Sequence, residues 1–141
     1  MRPVRELLNT QDPLWSLKPQ DSVFEALKTL SDHDVGALVV MDQGKLVGIL
    51  SERDYTRKIA LAGKASKETL VSDIMTAKVL TVAASTRAED CMALMSQKKI
   101  RHLPVMDGDK VLGMISIRDL LDEIITDQEA TINQLQTYIA S

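Results

Sequence analysis

The chain contains one nine-residue phrase twice. Leu46-Val-Gly-Ile-Leu-Ser-Glu-Arg-Asp54 and Val111-Leu-Gly-Met-Ile-Ser-Ile-Arg-Asp119 share a glycine, a serine, an arginine and an aspartate at matching places. Gly48 and Gly113, Ser51 and Ser116, and Asp54 and Asp119 each stand 65 residues apart. The same offset pairs Met41-Asp42 with Met106-Asp107 and Leu38 with Leu103. Across residues 38–54 it leaves 9 of 17 positions identical without a gap. Chance does not produce that. The chain is an internal duplication, so its fold is built from two copies of one unit, and its function is sought where the copies meet.

Composition sets the outer limits. A chain of 141 residues, 45% hydrophobic and 26% charged, suits one soluble globule with a real core. With 17 Lys and Arg against 20 Asp and Glu, the net charge of −3 gives no bulk attraction to nucleic acid. The lone cysteine, Cys91, excludes an internal disulfide framework and falls on an apolar helix face, where a buried core thiol is expected rather than a nucleophile. No apolar run approaches the ~20 residues that span a bilayer. The N-terminus shows no apolar stretch after its charges, so no secretory signal and no membrane role are expected. The expected address is cytoplasmic, with an organelle as the alternative.

Along the chain, Val4, Leu7 and Leu8 predict a short helical arm that Asp12-Pro13 breaks. Leu14 to Leu17 is a short lead-in strand. Ser22 with Glu25 forms a capping box, and Val23, Ala26, Leu27 and Leu30 make one helix face that stops near His33-Asp34. Ala37 to Met41 is a buried strand, Asp42-Gln-Gly-Lys45 a hairpin turn, and Lys45 to Leu50 the returning strand. Ser51 opens a helix through Tyr55, Ile59 and Ala60. Val71 to Met75 is a helical turn. The order then repeats: a strand over Val79 to Val82, a helix face of Ala88, Cys91, Met92 and Met95, strands over Leu103 to Met106 and Val111 to Ile115, and a last helix from Ser116.

Each repeat reads β-α-β-β-α. The expected class is α+β, with two such repeats related by a pseudo-twofold axis and packed through their sheets. The expected boundaries are an arm over 1–13, repeat one over 14–66, repeat two over 67–125 and a helical tail over 126–141. The tail carries Leu121, Ile124, Ile125, Ile132, Leu135 and Ile139, an amphipathic pattern with an interruption expected at Thr126-Asp127. It packs on its own domain or forms a dimer contact.

Two readings compete for the Ser-x-Arg-Asp turns. Ser51 and Ser116 stand at helix N-caps with Asp54 and Asp119 three residues on, a capping box that needs no ligand. Capping, however, does not require Arg53 or Arg118, and both copies keep the arginine. A helix N-terminus, a hydroxyl and a guanidinium suit phosphate, and a carboxylate suits the vicinal hydroxyls of a ribose. Together they fit a nucleotide.

The apolar-Gly-x-x-Ser-x-x-Asp turn, the preceding hairpin and Ile100-Arg-His-Leu-Pro-Val105 resemble the CBS domain, and the doubled motif resembles a tandem CBS pair, or Bateman module, of the small stand-alone type. That resemblance implies an adenine nucleotide (AMP, ADP, ATP, NAD(H) or S-adenosylmethionine) in the cleft between repeats. It implies that Asp54 and Asp119 hold ribose hydroxyls and that Ser51, Ser116, Arg53 and Arg118 face phosphate. Lys78, Val79, Thr81, Arg101, His102 and Pro104 would wall the second site; Ser16, Gly36, Ala37 and Leu38 would wall the first. Repeat one has Gly36-Ala37 where repeat two has Arg101-His102, so Arg57 and Lys58 on the following helix would supply its basic character. Trp15 would fill the adenine space of the first site or stack on the base. His33 is expected to face solvent, and His102 either binds phosphate or is a capped surface histidine.

The resemblance implies a non-enzymatic regulatory module that reports energy or redox state to an unidentified regulated protein, as a homodimer. A purely structural assembly module is the alternative. An enzyme is the third reading, and the sequence shows no nucleophile, metal cluster or base constellation to support it.

Overall fold

The computed structural model describes residues 1–8 and 14–140, which group into two compact units, one of residues 14–80 with 109–111 and the other of 1–8, 81–108 and 112–140. The Asp12-Pro13 break lies outside the described residues. In the first unit, β1 (Ser16–Leu17), β2 (Ala37–Asp42) and β3 (Lys45–Ser51) form a three-stranded sheet in that order, β1 parallel and β3 antiparallel to β2. The apolar run 37–40 is wholly buried in the central strand, which explains why it lacks the alternation of a half-exposed strand. The hairpin turns on Gln43 and Gly44, both at positive φ, the geometry that a two-residue loop needs to match strand twist.

Helix α1 (Val23–His33) starts where Ser22 Oγ accepts the Glu25 N–H at 3.1 Å, one half of the expected box. It buries Val23, Ala26 and Leu30 on the sheet's core side. It ends at Asp34 in the left-handed region, with the Val35 N–H closing on the Leu30 carbonyl at 3.1 Å. Helix α2 (Glu52–Tyr55) continues as a π-helical turn over Thr56–Ala60, which buries Ile59. A short α3 (Val71–Ile74) completes the unit.

The second unit repeats this plan with β4 (Val82–Ala83), α4 (Ala88–Lys98), β5 (His102–Asp107), β6 (Lys110–Ser116, which joins this unit from Leu112) and α5 (Ile117–Ala140). Its sheet has the order β4-β5-β6, and the pairing of Val82 with Val105 matches that of Leu17 with Val40 at the offset of 65. Cys91 is buried among Ala88, Met95, Leu103 and Ile115, as expected of a core thiol. Two expectations need correction. The strand expected from Val79 begins only at Val82, where parallel pairing with β5 starts at Val105. Helix α5 runs through Thr126-Asp127 without interruption, since neither residue is a glycine or proline that would break it. Residues 125–140 are all exposed, so the distal tail does not pack on its own domain.

The arm and α3 are counterparts. Val4, Leu7 and Leu8, in and after the 3₁₀ turn Val4–Leu7, answer to Val71, Ile74 and Met75. Each segment precedes one repeat along the chain yet completes the core of the other unit. Val4 is buried with Val82, Cys91, Leu103 and Ile115, while Val71 and Ile74 are buried with Leu17, Val40, Leu50 and Ile59. The landmark glycines make this possible. A Cβ on Gly48 would lie 2.5 Å from Met75 Sδ and 3.2 Å from the Thr76 carbonyl; one on Gly113 would lie 3.1 Å from Leu8 Cδ2. Backbone bonds fix the approach, Ile49 N–H to Thr76 O at 3.0 Å and Thr76 N–H to Ile49 O at 2.9 Å. Residues 67–80, grouped with repeat two on sequence, thus lie in the unit of repeat one.

Candidate functional site

Both Ser-x-Arg-Asp turns sit at a strand-to-helix junction, and both close a full capping box. In the first, the Asp54 N–H donates to Ser51 Oγ at 3.2 Å, while the Ser51 N–H and hydroxyl donate to Asp54 Oδ2 at 3.0 and 3.1 Å. In the second, the Asp119 N–H donates to Ser116 Oγ at 3.2 Å, and the Ser116 N–H and hydroxyl both donate to Asp119 Oδ2 at 2.9 Å. The next N–H is also used. Glu52 donates to the Gly36 carbonyl at 3.0 Å and Ile117 to the Arg101 carbonyl at 2.8 Å. Those bonds carry the start of β2 and β5 up against the turns. They also leave each helix start with fewer open N–H donors than an uncapped one, and each carboxylate with one oxygen, Oδ1, outside the box.

The two remaining oxygens differ. Asp54 Oδ1 pairs with Lys58 Nζ at 3.2 Å and receives the Thr76 hydroxyl at 3.5 Å, a long contact. Lys58 Nζ also donates to the Ile74 carbonyl at 2.8 Å, so it ties α2 to α3. The Asp54 side chain is only 14% exposed. At the equivalent of Lys58 stands Glu123, whose carboxylate takes Arg2 in a two-pronged pair, Nε to Oε1 at 3.1 Å and Nη2 to Oε2 at 2.7 Å. Asp119 is therefore exposed, and among the described residues its Oδ1 has no hydrogen-bond or ion-pair partner.

The second turn carries Ser116, Arg118 and Asp119, with Arg101 joined to it through the Ile117 bond and His102 close to Asp119; the buried Pro104 on β5 and the exposed Thr81 belong to the same unit. His102 is half-buried. Burial holds its pKa below the ordinary value, the Asp119 charge pulls it partly back, and Arg101 adds to the depression. The net depression favours its uncharged form, an N–H donor, over the cation. The first turn carries Ser51, Arg53 and Asp54, with Gly36 bonded to Glu52, the buried Ala37 paired across the sheet with Ser51, and Lys58 on Asp54; the buried Leu38, Ser16 on β1 in register with Val39, and Arg57 on the π turn belong to the same unit. Lys78 and Val79, expected at the second site, belong to the unit that carries the first turn. His33 is not the solvent-facing residue expected. It stacks on Trp15 with ring centroids 3.9 Å apart and planes 13° apart, so one face of the indole is already covered. Thr76 and the Ile74 carbonyl were not among the sequence candidates. The i, i+4 spacing of Asp54 and Lys58 was the one local sign that this carboxylate is occupied.

Among the described residues no group of three or more His, Cys, Asp and Glu could hold a metal ion. Burial pushes the Cys91 thiol up to about 11, which makes it unreactive at neutral pH. No helix among the described residues is long and apolar enough to cross a membrane.

Comparison with known proteins agrees with the duplicated plan. The sequence model of the CBS domain matches twice, at residues 4–61 and 71–126. The chain belongs to the CBS-domain family, as a tandem pair. It is 41% identical over 124 residues to the mitochondrial CBS domain-containing protein CBSX3 of Arabidopsis thaliana, covering 84% of this chain and 60% of the length of that relative. The crystal structure of the CBS domain NE2398 superposes with a TM-score of 0.83 at 44% identity, over 89% of this chain and 99% of that one. A hexameric CBS-CP12 protein from bloom-forming cyanobacteria gives a TM-score of 0.75 at 27% identity, over 83% of this chain and 68% of its own.

Proposed function

We propose that this CBS pair is a regulatory module that binds an adenine nucleotide, AMP, ADP, ATP or NAD(H), and passes energy or redox state to a partner protein. The observation that carries the reading is the second turn. Its exposed carboxylate keeps one oxygen outside the capping box, beside Arg118, Ser116 and the neutral donor His102. A diol could take Asp119 Oδ1 without disturbing the helix cap, and Arg118, outside the box, is placed by sequence to meet phosphate. The module is read as a binder that returns its ligand unchanged, and as a homodimer. The hexamer named for the cyanobacterial relative supports self-association for that protein, and by resemblance for this one.

The competing reading is a structural module in which both turns only cap helices. Its support is that both boxes are complete without a ligand. The variant Arg118→Gln separates the two, because it leaves the box intact. Under the binding reading calorimetric titration shows AMP or ATP affinity falling roughly 10- to 150-fold, the loss of one charge-assisted contact of ~1.5–3 kcal/mol, with an unchanged melting temperature. No heat from any adenine nucleotide with the wild type leaves the capping reading standing.

A further inference from the structure

Helix α5 has two faces with different fates. Leu120 and Glu123 are buried against its own unit. The opposite side carries Leu121, Ile125, Gln128, Ile132, Leu135 and Ile139, separated by four, three, four, three and four residues. That is the 3.5-residue period of helices that supercoil around one another, not the 3.6 of a helix lying on a globule. In heptad terms Ile125, Ile132 and Ile139 take position a, Leu121 and Leu135 take d, and Gln128 is the one polar d residue. Leu120 and Glu123 then fall at c and f, away from the seam.

We infer that residues 121–139 of α5 form a parallel two-stranded coiled coil with the α5 of a second copy of this chain. The inference rests on the homodimer reading above and gives it an interface. Isoleucine at a with leucine at d is the core that, in parallel coiled coils, favours two strands over three or four. A different partner would be chosen mainly by charges flanking the seam; the g positions hold the uncharged Ile124, Thr131 and Tyr138, the e positions hold Asp122, Glu129 and Gln136, and no Lys or Arg occurs after Arg118, so the flanking charge is limited to two carboxylates near the start of the stripe. Residues 130–140 carry no charge at all, so two copies do not repel there. Gln128 finds its natural complement in the same amide of a second chain, which fixes register and direction. The stripe is also large. Its five apolar side chains are 48 to 82% exposed. A pair would bury about 1,000 Å², the lower bound for a specific interface. Finally, residues 125–140 gain no burial from their own unit, and Ile, Thr and Asn are middling helix formers. A partner accounts for an unbroken helix there.

The test is sedimentation equilibrium of the full chain without nucleotide, up to about 100 μM, a range that detects micromolar Kd. The wild type is expected to be dimeric. Ile132→Asp, at a residue exposed on the chain itself, is expected to weaken the dimer at least about 100-fold with unchanged sheet circular dichroism. Gln128→Leu is expected to tighten it or raise its order. Leu135→Cys is expected to cross-link to itself under mild oxidation, as only a parallel pair allows. A wild-type dimer that is indifferent to Ile132→Asp and gives no Leu135→Cys cross-link overturns the coiled coil and leaves the homodimer reading standing. Cross-linking of an Ile125→Cys chain to a Leu135→Cys chain, with neither linking to itself, overturns the parallel arrangement. A wild type that stays monomeric overturns both and assigns the stripe to a helix of a different protein.

Discussion

At the scale of single residues, a duplicated motif has been put to unequal use. Asp54 and Asp119 cap their helices in the same way, yet Lys58 closes over the outer oxygen of the first and Glu123 turns away from that of the second to hold Arg2. The difference between Lys58 and Glu123 at equivalent positions thus separates a carboxylate committed to structure from one open to solvent. Asp54→Ala is expected to lower stability by about 1–3 kcal/mol, since it removes a cap and releases the Lys58 tether to α3. Asp119→Ala is expected to lose about 0.5–2 kcal/mol, the cap alone. Chemical denaturation compares them. If the turns bind nucleotide, the wild type should titrate with one ligand per chain and Lys58→Met with two. A wild-type stoichiometry of two would show that Lys58 yields to the ligand.

At the scale of elements, the pattern of strands and helices could be read from periodicity because apolar spacing and cap residues are local signals. The α1 stop at Asp34, the hairpin at Gln43-Gly44 and the box at Ser51 all follow from residues within a turn of one another. The role of the glycine in the repeated phrase could not be read that way. Its reason lies in a segment far along the chain, Met75-Thr76 for Gly48 and Leu8 for Gly113. For the same reason the stacking of His33 on Trp15 is not written in local spacing. Gly48→Ala meets a backbone carbonyl as well as a side chain, and is expected to cost about 1–3 kcal/mol. Gly113→Ala meets only the free end of a leucine and should cost less. Melting temperatures of the two variants decide the order; an equal loss would mean that Met75 swings aside as readily as Leu8.

At the scale of the whole molecule, the two sequence repeats and the two compact units are not the same sets of residues. Each unit is finished by a segment that belongs, by position in the chain, to the other repeat. The duplication itself was plain from the sequence, but this exchange was not, because Val4-Leu7-Leu8 and Val71-Ile74-Met75 look alike and either could serve either sheet. The Arg2–Glu123 pair that holds the arm makes its docking pH-dependent. Arg2, chiefly by hydrogen bonding, holds the Glu123 carboxyl below its usual range. The stabilisation is therefore fully present above the unfolded value near about 4.3 and is lost as pH falls through the lower folded value. Hydrogen exchange of Val4 and Arg5 amides, which donate to Thr86 and Ala84, should accelerate below about pH 4. In Glu123→Gln it should be faster already at pH 7 and lack that acid limb; an identical acid profile in both would assign the loss to other carboxylates.

The exchanged arm also sets an order in time. Residues 14–80 are continuous, so the first sheet and the α3 turn that covers it can assemble while the remainder of the chain is still being synthesised. Residues 1–8 leave the ribosome ahead of residues 14–80, yet their sheet, their helix α4 and the glutamate that holds them all come after residue 80. The arm is made before the sheet it completes, and until α5 emerges Val4, Leu7 and Leu8 must wait in water.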